Sequence, residues 1–330
     1  MLKGLFILNA DAFERIYGPA ERTDIEARVE IVAGPQTRES VKADPAVLEP
    51  VEVIFSGWGG PVMDEDFLAA APNLRAVFYG AGSIRGIVTD AFWDRGIVIC
   101  SAWAANAIPV AEYALSQILF CLKRGWYYAL EGKRRGKRIP RAHMPGAYGS
   151  VVGIISLGMI GRRVCQMLKG FDVNVIACDP YVSPEAAAEL GVTSAPLEKV
   201  FRRADVVSLH TPRLPETLGM ITGAHFASMK PDASFINTAR GAVVREDEMI
   251  EALRQRPDIY AVLDVTDPEP PVPESPLYSL PNVVLTPHIA GSMDGECRRM
   301  GRYMVQELER FAAGEPLRWS IDRRKAETLA

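Results

Sequence analysis

Only four of the 330 residues are histidine and five are cysteine, and the cysteines (Cys100, Cys121, Cys165, Cys178, Cys297) contain no C-x-x-C pair. Most lie inside apolar runs and read as reduced core thiols, so neither a disulfide framework nor a bound metal is expected. Charge of one sign is not in excess either. With 37 basic against 41 acidic residues and a formal net charge of −4, overall charge gives no case for a nucleic-acid or membrane partner. Long hydrophobic runs are also missing. Leu5-Phe6-Ile7-Leu8 is too short for a signal-peptide core and leads directly into Asn9-Ala10-Asp11, and the apolar stretch from Ala111 to Leu122 contains Glu112 and Ser116. Internal repeats and long low-complexity tracts do not occur, and the Pro-rich run from Asp267 to Pro276 is a loop. These absences leave a soluble, cytoplasmic globular protein as the expectation. At 330 residues with 48% apolar side chains, it should form two domains.

What is present is alternation. Short strand-like runs at Leu5–Asn9, Val29–Val32, Val53–Phe55, Ala76–Tyr79 and Val98–Cys100 are separated by segments long enough for helices, which predicts an α/β unit with a parallel sheet. A helix is expected from about Pro109 to Lys123. A second unit follows, with strands near 151–156, 173–178, 205–209, 233–237, 260–264 and 282–285. The amphipathic stretch from about Met293 to Ala313 should return to the first unit. The expected division is 1–102 with 292–330 as one discontinuous domain and 103–291 as the other.

In the second unit, Val151-Val152-Gly153-Ile154-Ile155 breaks at Ser156-Leu157-Gly158-Met159-Ile160-Gly161 and passes into a helical pattern. Free amides at such a helix start can hold a pyrophosphate. Gly158 would let the backbone approach the phosphates, and Gly161 would let the helix pack on the strand. Ser156 replaces the first glycine of the usual pattern, which a serine can do if the turn keeps a negative φ there. A second strand, Val173 to Cys178, ends in Asp179, 21 residues past Gly158, where a carboxylate would bond the ribose hydroxyls of a dinucleotide. Asp179 would repel a 2′-phosphate, so NAD is expected in preference to NADP.

Three further segments each follow an apolar run and each bring one ionisable side chain: Arg240 after Phe235-Ile236, Glu269 after Tyr260-Ala261-Val262-Leu263, and His288 after Val283-Val284-Leu285. Ligands of open α/β sheets bind outside the carboxyl ends of the strands, so the three should converge. Arg240 can clamp a carboxylate, His288 can move a proton, and Glu269 can orient the ring and favour its charged form. In the first unit, Ser56-Gly57-Trp58-Gly59-Gly60, with Trp103, could wall a pocket, or Trp58 could be an ordinary core aromatic.

Taken together, Gly80-Ala81-Gly82, Val110-Ala111-Glu112, the Gly153–Gly161 fingerprint with Asp179, His210-Thr211-Pro212 with Pro215-Glu216-Thr217, Asn237–Gly241, Asp264 with Glu269-Pro270, and Pro287-His288 resemble the D-isomer-specific 2-hydroxyacid dehydrogenases, from about Ser56 to the C-terminus. The resemblance implies two doubly wound parallel-sheet domains, a Rossmann-type NAD domain and a smaller flavodoxin-like substrate domain, with a cleft between them. It implies Arg240, Glu269 and His288 as the catalytic set, with Arg240 also on the substrate. NAD contacts are implied at Gly158, Met159, Ile160, Gly161, Asp179, Thr211, Pro212, Thr217, Thr238, Ala239, Arg240, Asp264, His288, Ala290 and Gly291. Trp58 and Gly59 are placed on the substrate by their loop, and Ala81 and Gly82 by backbone amides that would hold its carboxylate. The implied activity interconverts a 2-oxo acid and a D-2-hydroxy acid, as a glyoxylate/hydroxypyruvate reductase or a related enzyme does. Formate dehydrogenases of the superfamily carry Gln where Glu269 stands, which disfavours that branch. Ser83-Ile84 stands where many relatives carry an acidic residue, and Thr217 where Asn is frequent.

Two other features bear on partners and activity. Lys123 to Arg141 carries eight basic residues beside Trp126, Tyr127 and Tyr128; this is read as a solvated run within an arm that grips a second subunit, giving a homodimer and no nucleic-acid partner. An NAD-sensing corepressor-like binding protein of the same fold would keep the same Arg, Glu and His, and turnover would separate it from an enzyme. The remaining histidines, His143, His210 and His225, are read as structural or surface residues.

Overall fold

The computed structural model describes residues 1–141 and 143–328, and they divide into two compact units, 1–107 with 292–330 and 108–291. In the first unit the strands are β1 (Leu2–Ile7), β2 (Val29–Ile31), β3 (Val53–Ser56), β4 (Ala76–Tyr79) and β5 (Val98–Ser101), all parallel in the order 2-1-3-4-5. This is the flavodoxin-like order. Buried on both faces, β3 (VIFS) and β4 (AVFY) are near-continuous apolar runs, interrupted only by the serine that ends β3, as central parallel strands are. The order reverses at β1 and β3, and the two loops beyond them are joined there: the Asn9 amide donates to the Trp58 carbonyl at 2.9 Å.

The second unit contains β6 (Val151–Ile155), β7 (Asn174–Cys178), β8 (Thr193–Ser194), β9 (Val206–Leu209), β10 (Ser234–Asn237), β11 (Tyr260–Leu263) and β12 (Val283–Leu285). They form one parallel sheet ordered 8-7-6-9-10-11-12. Counted from β6, this is the doubly wound order 3-2-1-4-5-6 with one strand added, whose switch point lies between β6 and β9.

Two strands exceed the sequence expectation. β8 has only two residues, too few for an alternation to show. The last strand, β13 (Ser320–Ile321), pairs antiparallel with β5 and closes that edge of the first sheet. Buried Glu307 holds it, accepting the amides of Arg318 (3.0 Å) and Trp319 (3.0 Å).

The helix expected to begin near Pro109 spans Trp103–Leu122. Proline is tolerated in a first turn, which made Pro109 look like a start, yet Ala104, Ala105 and Ala107 are strong enough helix formers to extend the helix upstream of it. The unit boundary therefore lies inside this helix, at 107/108 instead of 102/103. Ala105 is buried in the core of the first unit, while Ala111, Ala114, Ile118 and Cys121 are buried in that of the second. By length and composition alone this helix could cross a membrane, but the buried face is spent on these two cores. The helix Cys297–Ala313 returns to the first unit and buries Met300, Met304, Val305 and Leu308 against β1, β3 and β4 residues Phe6, Phe55 and Phe78.

Candidate active site

The fingerprint turn leaves β6 at the switch point. Ser156 there has φ +74°, which corrects the expectation of a negative φ: the serine occupies the left-handed region that the usual glycine would adopt freely. Hydrogen bonds hold it in place. Its amide donates to the Cys178 carbonyl (2.8 Å), and its hydroxyl pairs with that of Thr211 beyond β9 (2.8 Å), spanning the two strands of the switch point. The next residue is gripped on both sides, the Leu157 amide by Asp179 Oδ2 (2.6 Å) and its carbonyl by Arg162 Nε (2.7 Å).

Beyond the turn, Gly158 begins the helix Met159–Leu168 with no side-chain cap, so its first amides are left open. A Cβ built on Gly158 would meet nothing within 4 Å, whereas one on Gly161 would lie 2.1 Å from the Ser156 carbonyl oxygen. Gly161 is thus required by packing, and Gly158 faces empty space. Thr238, after β10, adds a buried hydroxyl without a hydrogen-bond partner among the described residues. An uncapped helix start, open space at Gly158 and an orphaned donor at the same strand ends suit the pyrophosphate and polar groups of a dinucleotide.

The remaining residues expected at the cofactor divide by what their side chains already do. Asp179 accepts the Leu157 amide on Oδ2 and the Tyr181 amide (2.8 Å) on Oδ1, so it shapes both the fingerprint and its own turn while each oxygen keeps a lone pair. Thr217 Oγ1 bonds the Pro212 carbonyl (2.6 Å) and receives the Leu214 amide (2.8 Å), fixing the loop that contains Pro212. Asp264 is buried, and its carboxylate is engaged by the Thr286 hydroxyl (2.6 Å) and the amides of Ile289 and Ala290 (both 2.9 Å). Met159 and Ile160 open the helix after Gly158, and Pro212, Ala239 and Gly291 lie in the strand-end turns, with Ala239 buried.

Arg240, Glu269 and His288 come together at this carboxyl edge. Glu269 Oε1 lies 2.5 Å from His288 Nδ1, with the two side chains 38% and 48% exposed, open enough to meet a ligand. His288 has φ +54°. Arg240 donates from Nη1 to the Ala239 carbonyl (2.6 Å). Burial pulls its guanidinium below the ordinary arginine value, opposed by the nearby Glu269 carboxylate and assisted by Arg213. A desolvated guanidinium without a carboxylate partner among the described residues is poised to take an anion. The other histidines carry no such arrangement. His210 Nε2 pairs with the Ser208 hydroxyl (3.0 Å) in the core, where burial lowers its pKa to about 4. His225 Nδ1 accepts the Thr222 amide (3.0 Å) at a helix start, and His143 is exposed.

In the first unit, Ser101, which sequence reasoning passed over, shares its one hydroxyl proton between the carbonyls of Ala81 (2.8 Å) and Gly82 (2.5 Å). Among the described residues, no acceptor takes the amides of Ala81 and Gly82. Trp58 packs against both cores of that unit with the Arg15 guanidinium over its ring, and Gly59 has φ +82° against the Asn9 side chain.

Residues 117–290 match the family model "D-isomer specific 2-hydroxyacid dehydrogenase, NAD binding domain". The chain belongs to this family. It is 33% identical over 263 residues to D-3-phosphoglycerate dehydrogenase of Archaeoglobus fulgidus, covering 79% of this chain and 49% of that protein, so it spans about half the length of that relative. It is 33% identical over 257 residues to glyoxylate reductase of Korarchaeum cryptofilum, covering 77% of each. Among solved structures, a D-isomer specific 2-hydroxyacid dehydrogenase from Xanthobacter autotrophicus Py2, in complex with NADPH and MES, superposes with a TM-score of 0.77 at 26% identity, covering 99% of this chain and 100% of that one.

Proposed function

We propose that this protein is an NAD-dependent oxidoreductase interconverting a 2-oxo acid and a D-2-hydroxy acid, with an activity of the glyoxylate/hydroxypyruvate reductase kind. The observation that carries the reading is the 2.5 Å pairing of His288 Nδ1 with Glu269, next to an anion-seeking Arg240, at the strand ends of an NAD-binding sheet. Bound NADH would supply the hydride for the C2 carbonyl. With Nδ1 committed to Glu269, Nε2 of His288 is the nitrogen that delivers the proton to the growing alkoxide and recovers it in the reverse direction. Arg240 holds the substrate carboxylate and steadies charge on the carbonyl oxygen. In the first unit, the amides of Ala81 and Gly82, which have no acceptor among the described residues, suit a substrate carboxylate, and Trp58 with Gly59 would border the substrate side chain. For the cofactor, Gly158 to Gly161 would take the pyrophosphate, Thr211, Pro212, Thr217, Thr238, Ala239, Asp264, Ala290 and Gly291 would line the remainder, and the Asp179 charge would favour NAD over NADP. The basic Lys123–Arg141 arm is read as a homodimer contact, which sedimentation would test.

Turnover of a panel of 2-oxo acids, including glyoxylate, hydroxypyruvate and the 2-oxo form of 3-phosphoglycerate, with NADH and NADPH tests this function. Reduction of at least one, faster with NADH, is the expected result. NADH binding without turnover of any acid would favour a sensing role and overturn it.

A further inference from the structure

We propose that Tyr113 and Thr286 are positioning residues for His288, acting through Asp264; the proposal rests on the role given to His288 above. His288 adopts φ +54°, a left-handed conformation that a residue with a Cβ takes up only at a cost, and such strain persists only where surrounding bonds fix it. Asp264 provides those bonds. Its carbonyl accepts the His288 amide (3.0 Å), Oδ1 accepts the Ile289 amide (2.9 Å), and Oδ2 accepts the Ala290 amide (2.9 Å). Three consecutive amides of the turn thus bond one aspartate, and its carboxylate holds the two that directly follow His288.

That carboxylate is fixed from behind. Thr286 Oγ1 donates to Asp264 Oδ1 at 2.6 Å, and Tyr113 Oη lies 3.0 Å from Thr286 Oγ1. A hydroxyl has one proton, and Thr286 gives its proton to the carboxylate, so in the second bond it must accept. Tyr113 is therefore the donor, and the order is Tyr113 to Thr286 to Asp264, each link placing the next. Tyr113 lies on the Trp103–Leu122 helix, whose Ala114 and Ile118 are packed in the core of the same unit, so the relay ties the strained turn to a rigid element. A chain of hydroxyls feeding a carboxylate polarises in one direction and is worth more together than apart.

The test uses Tyr113→Phe, Thr286→Val, Thr286→Ser and the Tyr113→Phe/Thr286→Val double variant. In the reductase assay kcat should fall about fivefold for Tyr113→Phe, the worth of one hydrogen bond, and about tenfold for Thr286→Val. Thr286→Ser should retain wild-type kcat, and the double variant should be no worse than Thr286→Val, because the two residues act in series. A second readout needs no turnover: the His288 ring signal in nitrogen-15 spectra of the NADH-free protein, identified by its loss in His288→Ala, should move in Tyr113→Phe and Thr286→Val and return in Thr286→Ser. Multiplying losses in the double variant, a Thr286→Ser as impaired as Thr286→Val, or a ring signal unmoved by either hydroxyl deletion would each overturn the relay. If the wild-type protein reduces no 2-oxo acid, the proposed function fails while the ring signal still decides the relay.

Discussion

The Glu269 carboxylate takes up Nδ1 of His288 at 2.5 Å, which leaves Nε2 as the ring nitrogen able to exchange a proton. A carboxylate on Nδ1 fixes the tautomer and the ring plane together. His288→Ala should therefore keep NADH binding and lose about two to four orders of magnitude in kcat, the range of general acid catalysis. Glu269→Ala, which leaves His288 in place but unoriented, should lose about 10–100-fold. Stopped-flow reduction with NADH in excess measures both, and a Glu269→Ala enzyme as fast as wild type would detach the pair from the chemistry.

Gly158 and Gly161 separate cofactor space from packing space. Gly158 is extended, with φ −70°, and an added side chain would enter open volume, whereas one at Gly161 would strike the Ser156 carbonyl. Gly158→Val should leave the melting temperature within about 2 °C of wild type while abolishing NADH binding, since the branched side chain takes up the space into which the pyrophosphate must come. Gly161→Ala should lower stability whether or not cofactor is present. Calorimetry paired with NADH fluorescence titration checks this; Gly158→Val protein that still binds NADH tightly would place the cofactor elsewhere.

Ser156 sets strain against a hydrogen bond. Glycine would relieve a left-handed conformation worth about 1 kcal/mol but forfeit the bond to Thr211, also worth about 1 kcal/mol, so Ser156→Gly should be close to wild type in stability and within about threefold in NADH affinity. Ser156→Ala keeps the strain and loses the bond, so it should be about 1 kcal/mol less stable than Ser156→Gly. Urea denaturation of the two variants orders them, and equal stability would mean that φ at this position is not restrained as described.

The alternation of strands and helices, the fingerprint and the three strand-end segments that carry Arg240, Glu269 and His288 could be read from the sequence, because central parallel strands are mostly apolar and their ends carry the polar residues. What escaped was set by tertiary partners. The sign of φ at Ser156 depends on Cys178 and Thr211, the hold on the Ala81 and Gly82 carbonyls on Ser101, and the His288 turn on Asp264, for which the family resemblance implied only a cofactor contact. β13 was invisible because two residues hold no periodicity, and it depends on a glutamate buried at Glu307 in the middle of an amphipathic helix. Pro109 misled because its local signal for a helix start was outweighed by the alanines before it.

His210 makes the stability of the second unit depend on pH. It follows β9, its amide is bonded to the Ile155 carbonyl (2.9 Å), and its Nε2 meets Ser208, while Nδ1 is buried without a partner among the described residues. Burial alone lowers its pKa from 6.5 to about 4, so the folded protein holds it neutral where the unfolded chain would protonate it. Its contribution is therefore complete above about pH 6.5 and is lost progressively as the pH falls towards 4, since between those values the unfolded state binds more protons. The full loss is about 3 kcal/mol, because each tenfold difference in proton affinity between the two states is worth about 1.4 kcal/mol. His210→Asn cannot titrate in this range, so it should be the less stable protein at neutral pH, where it lacks the packed ring, and should lose less on acidification. Urea midpoints of the two proteins at pH 7, 6, 5 and 4 should converge as the pH falls; parallel curves would show that the unfolding transition does not sense the charge on His210.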